Sequence, residues 1–375
     1  MDKDRLHGRG ARTNASGRYE RFTYEAFDDG WSADEVRPLE TIVTPELAKS
    51  IISTNQSPDV SFDQSINPYR GCEHGCIYCY ARPNHAYVGL SPGIDFETKL
   101  FVKANAAELL EAEFAKPSYR PKTIMLGGVT DIYQPIERGY GVTRALLEVM
   151  ERWRHPVSLI TKSQLVMRDI DILARLAERG LAKAAVSVTT LERRIARVME
   201  PRAAAPHRRI EAIRALTQAG VPTTVMVAPI VPAINDSEIE AILEEASKAG
   251  ATSAGYVVLR LPLEIKDLFR EWLETNFPDR ATRVMSIVRQ MRNGKDYDPE
   301  WGKRQKGEGP YAKLIADRFT NALRRFGMDK PRLPLDTTQF RRPLDAGGQP
   351  DLFYDIAEPS PAKAAAEEGA AWTEK

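Results

Sequence analysis

Cys72, Cys76 and Cys79 are the only cysteines in the 375-residue sequence. They lie together in Gly71-Cys72-Glu73-His74-Gly75-Cys76-Ile77-Tyr78-Cys79-Tyr80, a C-x3-C-x2-C array. Thiolates are soft ligands that select zinc, copper(I) or iron–sulfur clusters. A cubane [4Fe–4S] cluster takes one ligand per iron, normally four cysteines. Three cysteines leave one iron without a protein ligand, as a catalytic zinc site leaves one position for substrate. Such an iron is open to reaction. Two other uses of the array stand beside this one. A structural Cys3His zinc site would take His74 or His85 as its fourth ligand, and a disulfide would leave one spare thiol, an arrangement suited to exported chains.

Other residues able to do chemistry fall at regular places along the chain. Gly127-Gly128-Val129-Thr130-Asp131 joins two glycines to a carboxylate, and Lys162-Ser163 and Ser187-Val188-Thr189 put polar side chains after apolar runs. The elements that position them follow from periodicity. Strand-length apolar runs at 62–67, 123–126, 157–161, 184–188, 223–228 and 255–259 alternate with helical patterns at 104–114, 142–154, 169–179, 207–219 and 237–248. Asp236 before Ser237-Glu238 and Gly180 after Arg179 are start and stop signals. This alternation predicts βαβ units and a parallel sheet. The cysteine loop then follows the first strand, at the C-terminal end of the sheet where α/β folds place their sites. We divide the chain into an arm and cap (1–60), an α/β core (61–262), a helical appendage (263–344, with helices at 268–275, 281–290 and 311–326) and a tail (345–375). The tail is rich in Ala, Glu, Gly and Pro and is expected to be disordered.

Hydrophobic residues make up 42% of the chain and charged residues 28%, the balance of a soluble globular protein. Met1-Asp2-Lys3-Asp4-Arg5 has no apolar signal core, and no apolar run approaches the ~18 residues of a membrane span. A cytoplasmic location without membrane contact is therefore expected. The net charge of +1 does not select a partner. Seven arginines between Arg193 and Arg214 form either a polyanion footprint or a solvated helical face.

With Tyr78 in its last gap, the cysteine array resembles the C-x3-C-x-aromatic-C signature of the radical S-adenosylmethionine (SAM) enzymes. That resemblance implies a partial (β/α)6 barrel, a [4Fe–4S] cluster on Cys72, Cys76 and Cys79, and SAM chelated by the open iron and cleaved to a 5′-deoxyadenosyl radical. It also implies a reducing protein such as flavodoxin or ferredoxin. By the same resemblance Tyr78 lies near the adenine, and backbone carbonyls of Gly127 and Gly128 accept from the SAM ammonium. Glycines suit that close approach. Val129 stands where a glutamate is common. Lys162, Ser163, Ser187 and Thr189 would face the SAM carboxylate and ribose, with Arg209 a further carboxylate candidate.

Three groups of segments narrow the resemblance: Asn67-Pro68-Tyr69-Arg70, Cys79-Tyr80-Ala81-Arg82 and Thr130-Asp131-Ile132-Tyr133-Gln134-Pro135-Ile136-Glu137. With Glu200-Pro201, Ala228-Pro229-Ile230-Val231-Pro232 and Asn235-Asp236, they are similar to the spore photoproduct lyase group of DNA-repair enzymes over residues 62–262. Asp131 and Tyr133 are then candidate catalytic residues. Together with Glu137 they face substrate or, in the alternative, cap the following helix. One departure matters: that group is expected to use a further cysteine as hydrogen donor, and this chain has none. A tyrosine such as Tyr80, Tyr87, Tyr133 or Tyr256 is left for that role.

In the tail, Gln349-Pro350-Asp351-Leu352-Phe353 resembles the short peptide by which bacterial repair proteins dock on the sliding clamp. Gln349 would fix register, with Leu352 and Phe353 filling an apolar pocket; a latch onto the chain's own surface is the other use. The function expected is thus a radical SAM enzyme, of lyase or transferase type, acting on damaged or modified nucleic acid. Its rivals are a radical SAM modifier of RNA, protein or a metabolite, and a zinc-stabilised, clamp-associated interaction protein without catalysis.

Overall fold

The computed structural model describes residues 8–20, 39–329 and 334–343. Its strands are β1 (Ile42–Glu46), β2 (Ile52–Thr54), β3 (Gln64–Ile66), β4 (Tyr69–Arg70) and β5 (Lys99–Lys103), then β6 (Ile124–Leu126), β7 (Val157–Thr161), β8 (Ala182–Ser187), β9 (Thr223–Ile230) and β10 (Ser253–Val258). The helices of the first half are α1 (Asp95–Thr98), α2 (Ala106–Ala115), α3 (Glu137–Tyr140), α4 (Val142–Arg152) and α5 (Ile170–Glu178). They are followed by α6 (Arg193–Met199), α7 (Pro206–Gln218), α8 (Ile239–Lys248), α9 (Ile265–Asn276), α10 (Pro278–Gln290) and α11 (Gly309–Arg325).

Strands β3, β6, β7, β8, β9 and β10 stand side by side in chain order, every pair parallel. Helical crossovers of one hand between successive parallel strands wrap such a sheet into an open barrel. The architecture is the expected α/β fold, a partial (β/α)6 barrel. Its helices earn their places by periodicity. In α4, Val142, Leu146 and Met150 recur four residues apart and are buried with Thr143 and Leu147, the stripe an amphipathic helix lays on a sheet. In β7, Val157, Leu159 and Thr161 are buried on one face. A main core lies between sheet and helices. A second core joins Ile77 and Tyr78 of the cysteine loop to Leu259, Leu261, Trp272 and Val288 of the β10–α10 region. The C-terminal helices therefore help to hold the loop in place.

Four strands, β1, β2, β4 and β5, were not among the expected runs. β2 pairs antiparallel with β3 and extends the main sheet. β1, which precedes the main sheet, joins β5 and β4 of the first crossover in a separate three-stranded sheet. These strands are short, and β1 and β2 are largely exposed. Pro45 in β1 is tolerated because β1 is an edge strand.

Among the described residues, no ladder joins β10 to the β2–β3 edge. Segment 302–305 bridges them instead. Val258 N donates to Gln305 O (2.8 Å), Gly302 N donates to Asp59 Oδ1 (2.6 Å), and Arg304 pairs with Asp59. One structural unit runs to Arg341. The sliding-clamp-like peptide with Gln349, Leu352 and Phe353, and the rest of the expected disordered tail, lie outside the described residues. No helix among the described residues is long and apolar enough to cross a membrane.

Candidate active site

The cysteine loop leaves β4 and folds over the C-terminal end of the barrel as consecutive turns. Gly75 N donates to Cys72 O (3.3 Å), Cys79 N to Cys76 O (3.2 Å), and Arg82 N to Cys79 O (3.2 Å). Gly75 has φ +66°, and a Cβ there would sit 2.6 Å from Glu97 Oε2, so the loop needs glycine for both backbone and space. Beneath it lies Arg82, wholly buried. Its guanidinium donates to Cys76 O (2.9 Å), Gly75 O (3.2 Å), Pro92 O (3.0 Å) and Gly93 O (2.9 Å), and pairs with buried Glu97 at 2.5 Å. Glu97 also accepts from Gly10 N (2.9 Å) and Ala11 N (2.8 Å). A strap from the N-terminal arm is thus tied to the same carboxylate as the loop.

Cys72 and Cys76 are buried and Cys79 half-buried, all with free thiols. Burial pushes every one of them up: Cys76 to about 12, with Glu200 adding to the effect, and Cys72 well above an ordinary thiol, where Asp131 adds. Buried thiolates therefore need positive charge beside them, which iron supplies. Neither histidine is offered as a fourth ligand. His74 Nδ1 faces Asp131 Oδ2 at 3.3 Å, and His85 Nε2 lies 3.0 Å from Lys99 O. Among the described residues no three His, Cys, Asp or Glu side chains converge on one ion. A cubane makes no such demand, because each cysteine serves a different iron. The donor set fits a three-cysteine cluster.

Behind Cys76 stands a second buried network. Tyr78 Oη donates to Glu200, and Glu200 pairs with Arg209. Thr189 Oγ1 donates to Glu200 Oε1 (2.6 Å) and also lies 3.0 Å from Ala228 O. Burial works against the Glu200 charge, but Arg209 and Lys162 outweigh it and hold the carboxyl below its usual range. Lys162 Nζ lies 5.8 Å from the centre of the Tyr78 ring. Arg209 is spent on this network: its other donors go to Ala204 O (2.7 Å) and Ser187 O (3.2 Å).

Asp131 ties the turn after β6 to the end of β7. Oδ1 accepts from Thr161 Oγ1 (2.7 Å) and Tyr133 N (2.9 Å), and Oδ2 from Lys162 N (2.8 Å). Burial opposes its charge; His74 and these hydrogen bonds prevail, and its carboxyl is held well below the carboxylate range. Tyr133 is fully buried in the main core, with the Arg168 guanidinium 5.9 Å from its ring. Glu137 accepts from Thr143 N (3.1 Å) at the start of α4 and from Tyr69, and pairs with Arg168 at 2.6 Å; its carboxylate is that helix's cap. Gly127 has φ +91° and a Cβ there would meet Ile160 O at 2.8 Å. Gly128 O accepts from Tyr80 Oη. Beside this turn the Arg260 guanidinium stands 5.1 Å from the Tyr80 ring centre, whereas Tyr256, with Lys306 Nζ 5.6 Å from its ring, packs on Phe319 of α11 at the outer face of β10.

The profile of the radical SAM superfamily matches residues 66–246, which contain all three cysteines and run from the end of β3 into α8. The chain belongs to the radical SAM superfamily. An uncharacterized protein of Mycobacterium tuberculosis (strain ATCC 25618 / H37Rv) is 34% identical over 248 residues, 65% of this chain and 72% of that protein. An uncharacterized protein of Methanocaldococcus jannaschii is 27% identical over 62% of this chain and 82% of its own length. Among solved structures, spore photoproduct lyase complexed with dinucleoside spore photoproduct superposes with a TM-score of 0.54 at 16% identity, covering 76% of this chain and 79% of that one. A point mutant of the same lyase gives 0.54 at 16% identity, covering 79% and 86%. At these identities the likeness is one of fold. Membership of the superfamily implies a [4Fe–4S] cluster and SAM as cofactors.

Set in a radical SAM barrel, the expected residues separate. Tyr78, Lys162 and Thr189 meet around Glu200 behind Cys76. Ser163 does not join them: its Oγ accepts from Leu165 N (3.2 Å), capping the turn after β7. Ser187, also buried, presents its carbonyl to Arg209. Arg82, Glu97 and Glu200 had been assigned no role from sequence. Arg82 and Glu200 fell inside the matching stretches Cys79-Tyr80-Ala81-Arg82 and Glu200-Pro201, which was the one available signal. Glu97 had none, since its partners are 15 and 86–87 residues away.

Proposed function

We propose that this chain is a radical SAM enzyme that cleaves SAM reductively at a [4Fe–4S] cluster on Cys72, Cys76 and Cys79, and that its substrate is a damaged or modified nucleic acid. The observation that carries the first part is the donor set: two buried thiols and one half-buried thiol on a loop pinned over the barrel, with His74 facing Asp131 and His85 against Lys99 O. With SAM bound, the cluster supplies a 5′-deoxyadenosyl radical. The protein's own residues do the rest. Asp131 orients the Lys162 backbone and the end of β7 rather than reacting itself. Lys162 offers a point charge to the SAM carboxylate. The Gly127-Gly128 turn admits the methionine moiety close to the backbone. Glu200 and Arg209 hold Tyr78 by its hydroxyl beside the adenine position.

The substrate class rests on the mouth of the barrel. Arg260 with the exposed Tyr80 pairs a cation with an aromatic face beside Gly128, a combination suited to phosphate and a stacked base. The structural neighbour complexed with a dinucleoside photoproduct adds weight.

The test is anaerobic reconstitution with iron and sulfide, followed by optical and paramagnetic spectra and assay of 5′-deoxyadenosine with SAM and dithionite. We expect a cubane signal that Cys76→Ala abolishes, and 5′-deoxyadenosine formation quickened by ultraviolet-irradiated oligonucleotides. A signal unchanged in Cys76→Ala would refute the cluster assignment. Equal stimulation by irradiated and intact strands would refute the damage specificity.

A further inference from the structure

A cleft of about 290 Å3 lies against the cysteine loop, floored by alanines 203–205 and bounded by His74, Arg138, Arg202 and Arg208. Three elements at the C-terminal end of the barrel build it: α3 brings Arg138, the turn after β7 brings Ser163, and the segment from α6 into α7 brings the other two arginines. It faces away from Lys162 and the Tyr78 ring. Ser163 lines the cleft, whereas its neighbour Lys162 reaches the Tyr78 ring, and successive residues of an extended chain point to opposite faces.

The lining carries three arginines and no carboxylate, in a chain of net charge +1. All three arginines are exposed. Arg202 is anchored to Glu73 at 2.6 Å, and Arg208 pairs with exposed Glu211 at 2.8 Å. Arg138, exposed in α3, has no acidic partner among the described residues. The floor is small and apolar. At its back stands His74, 2% exposed and braced on Asp131, in the span between Cys72 and Cys76. One imidazole therefore separates the cleft from the backbone that carries two of the thiols.

We propose that this cleft is the docking surface for a small acidic one-electron carrier protein of the flavodoxin kind, which reduces the cluster. The proposal rests on the cluster reading above and names the partner of that site. The carrier loses one electron, the cluster gains it, and no proton or group is transferred. An arginine rim meets the carrier's carboxylates and steers its approach, while the alanine floor lets its cofactor edge come close to His74. Electron transfer falls steeply with distance, so a site one side chain from the loop is where such a partner is useful. A nucleic-acid strand would also answer to three arginines, and the test separates the two.

The experiment compares the reconstituted wild-type protein with the double variant Arg138→Glu/Arg208→Glu, whose fold is checked by circular dichroism. Cluster bleaching is followed by stopped flow with reduced flavodoxin and, separately, with dithionite. Binding of oxidised flavodoxin is measured by calorimetry at low and high salt. We expect carrier-driven reduction and carrier affinity to fall about tenfold or more in the variant, with the wild-type rate falling as salt rises, and the dithionite rate to stay unchanged. Carrier-driven reduction equal in the two proteins overturns the proposal. So does a variant that loses affinity for a single-stranded oligonucleotide while still accepting electrons from the carrier. A wild-type protein with no dithionite-reducible cluster refutes the cluster reading itself, an outcome distinct from failure of the carrier arm alone.

Discussion

Arg82→Ala tests whether the buried pair under the cysteine loop holds it in place. Arg82 is 0% exposed, gives four hydrogen bonds to carbonyls and pairs with Glu97, itself 0% exposed. Removing one partner of a buried ion pair leaves an uncompensated charge and costs about 3–5 kcal/mol. Glu97 would keep the amides of Gly10 and Ala11, which favours the lower end. Loss of the guanidinium over the buried Phe96 ring, 5.1 Å from its centre, adds up to about 2 kcal/mol. At about 2 °C per kcal/mol for a large domain, the melting temperature should fall by roughly 6–10 °C. Thermal and guanidinium unfolding of Arg82→Ala, Glu97→Gln and Arg82→Met/Glu97→Gln measures this directly. The double variant should be less destabilised than the two single ones added together, since it strands no charge. Stability of Arg82→Ala within about 1 kcal/mol of wild type, or strict additivity, would refute the argument.

Two further outcomes follow from the geometry. Gly75→Ala places a methyl 2.6 Å from Glu97 Oε2 at φ +66°, a strain of about 1–3 kcal/mol before the clash; iron and sulfide content after reconstitution should drop well below wild type, and full loading would contradict the loop assignment. His155 is buried between Tyr119 (2.8 Å) and its stacking partner Phe114, and burial pushes its pKa down to about 3. The unfolded chain binds a proton near pH 6.5 and the native state does not, so the stability from this group is complete above 6.5 and is lost as pH falls toward 3, by about 1.4 kcal/mol per pH unit. His155→Phe should flatten unfolding free energy between pH 7 and 5 by about one proton, and an unaltered slope would remove His155 as its source.

The parallel strands were legible because both their faces are covered: β7 and β9 read as near-continuous apolar runs bounded by turn signals. β1 and β4 were not, because an exposed five-residue strand with Pro45 and a two-residue strand leave no pattern to detect. The cysteines were legible as ligands from type and spacing alone. Polar residues at strand ends were harder. Lys162 and Ser163 are adjacent and equally hydrophilic, yet one reaches Tyr78 and the other caps a turn, and the alternation that separates them needs the register of β7. Glu137 carried both readings in the sequence and is a helix cap in the fold, because the chain returns through α3 to place Thr143 N beside it. The Glu200–Arg209 pair arises where α6 turns into α7. A nine-residue separation with no fixed helical phase cannot announce that contact.

Where a closed barrel would carry a ladder between β10 and β3, this one has segment 302–305, fastened by one backbone bond at Val258 and by the contacts of Gly302 with Asp59 and of Arg304 with Asp59 and Ser57. Arg292 fastens it too, donating to Lys303 O (2.6 Å) and Leu259 O (3.0 Å). Parting those few links disturbs neither the sheet register nor the main core. The barrel can therefore breathe at one side by local unfolding, at a fraction of the global cost. That side carries Arg260 just past the end of β10, so the joint would open next to the Tyr80–Arg260 pair and the cysteine loop rather than at the far side of the sheet.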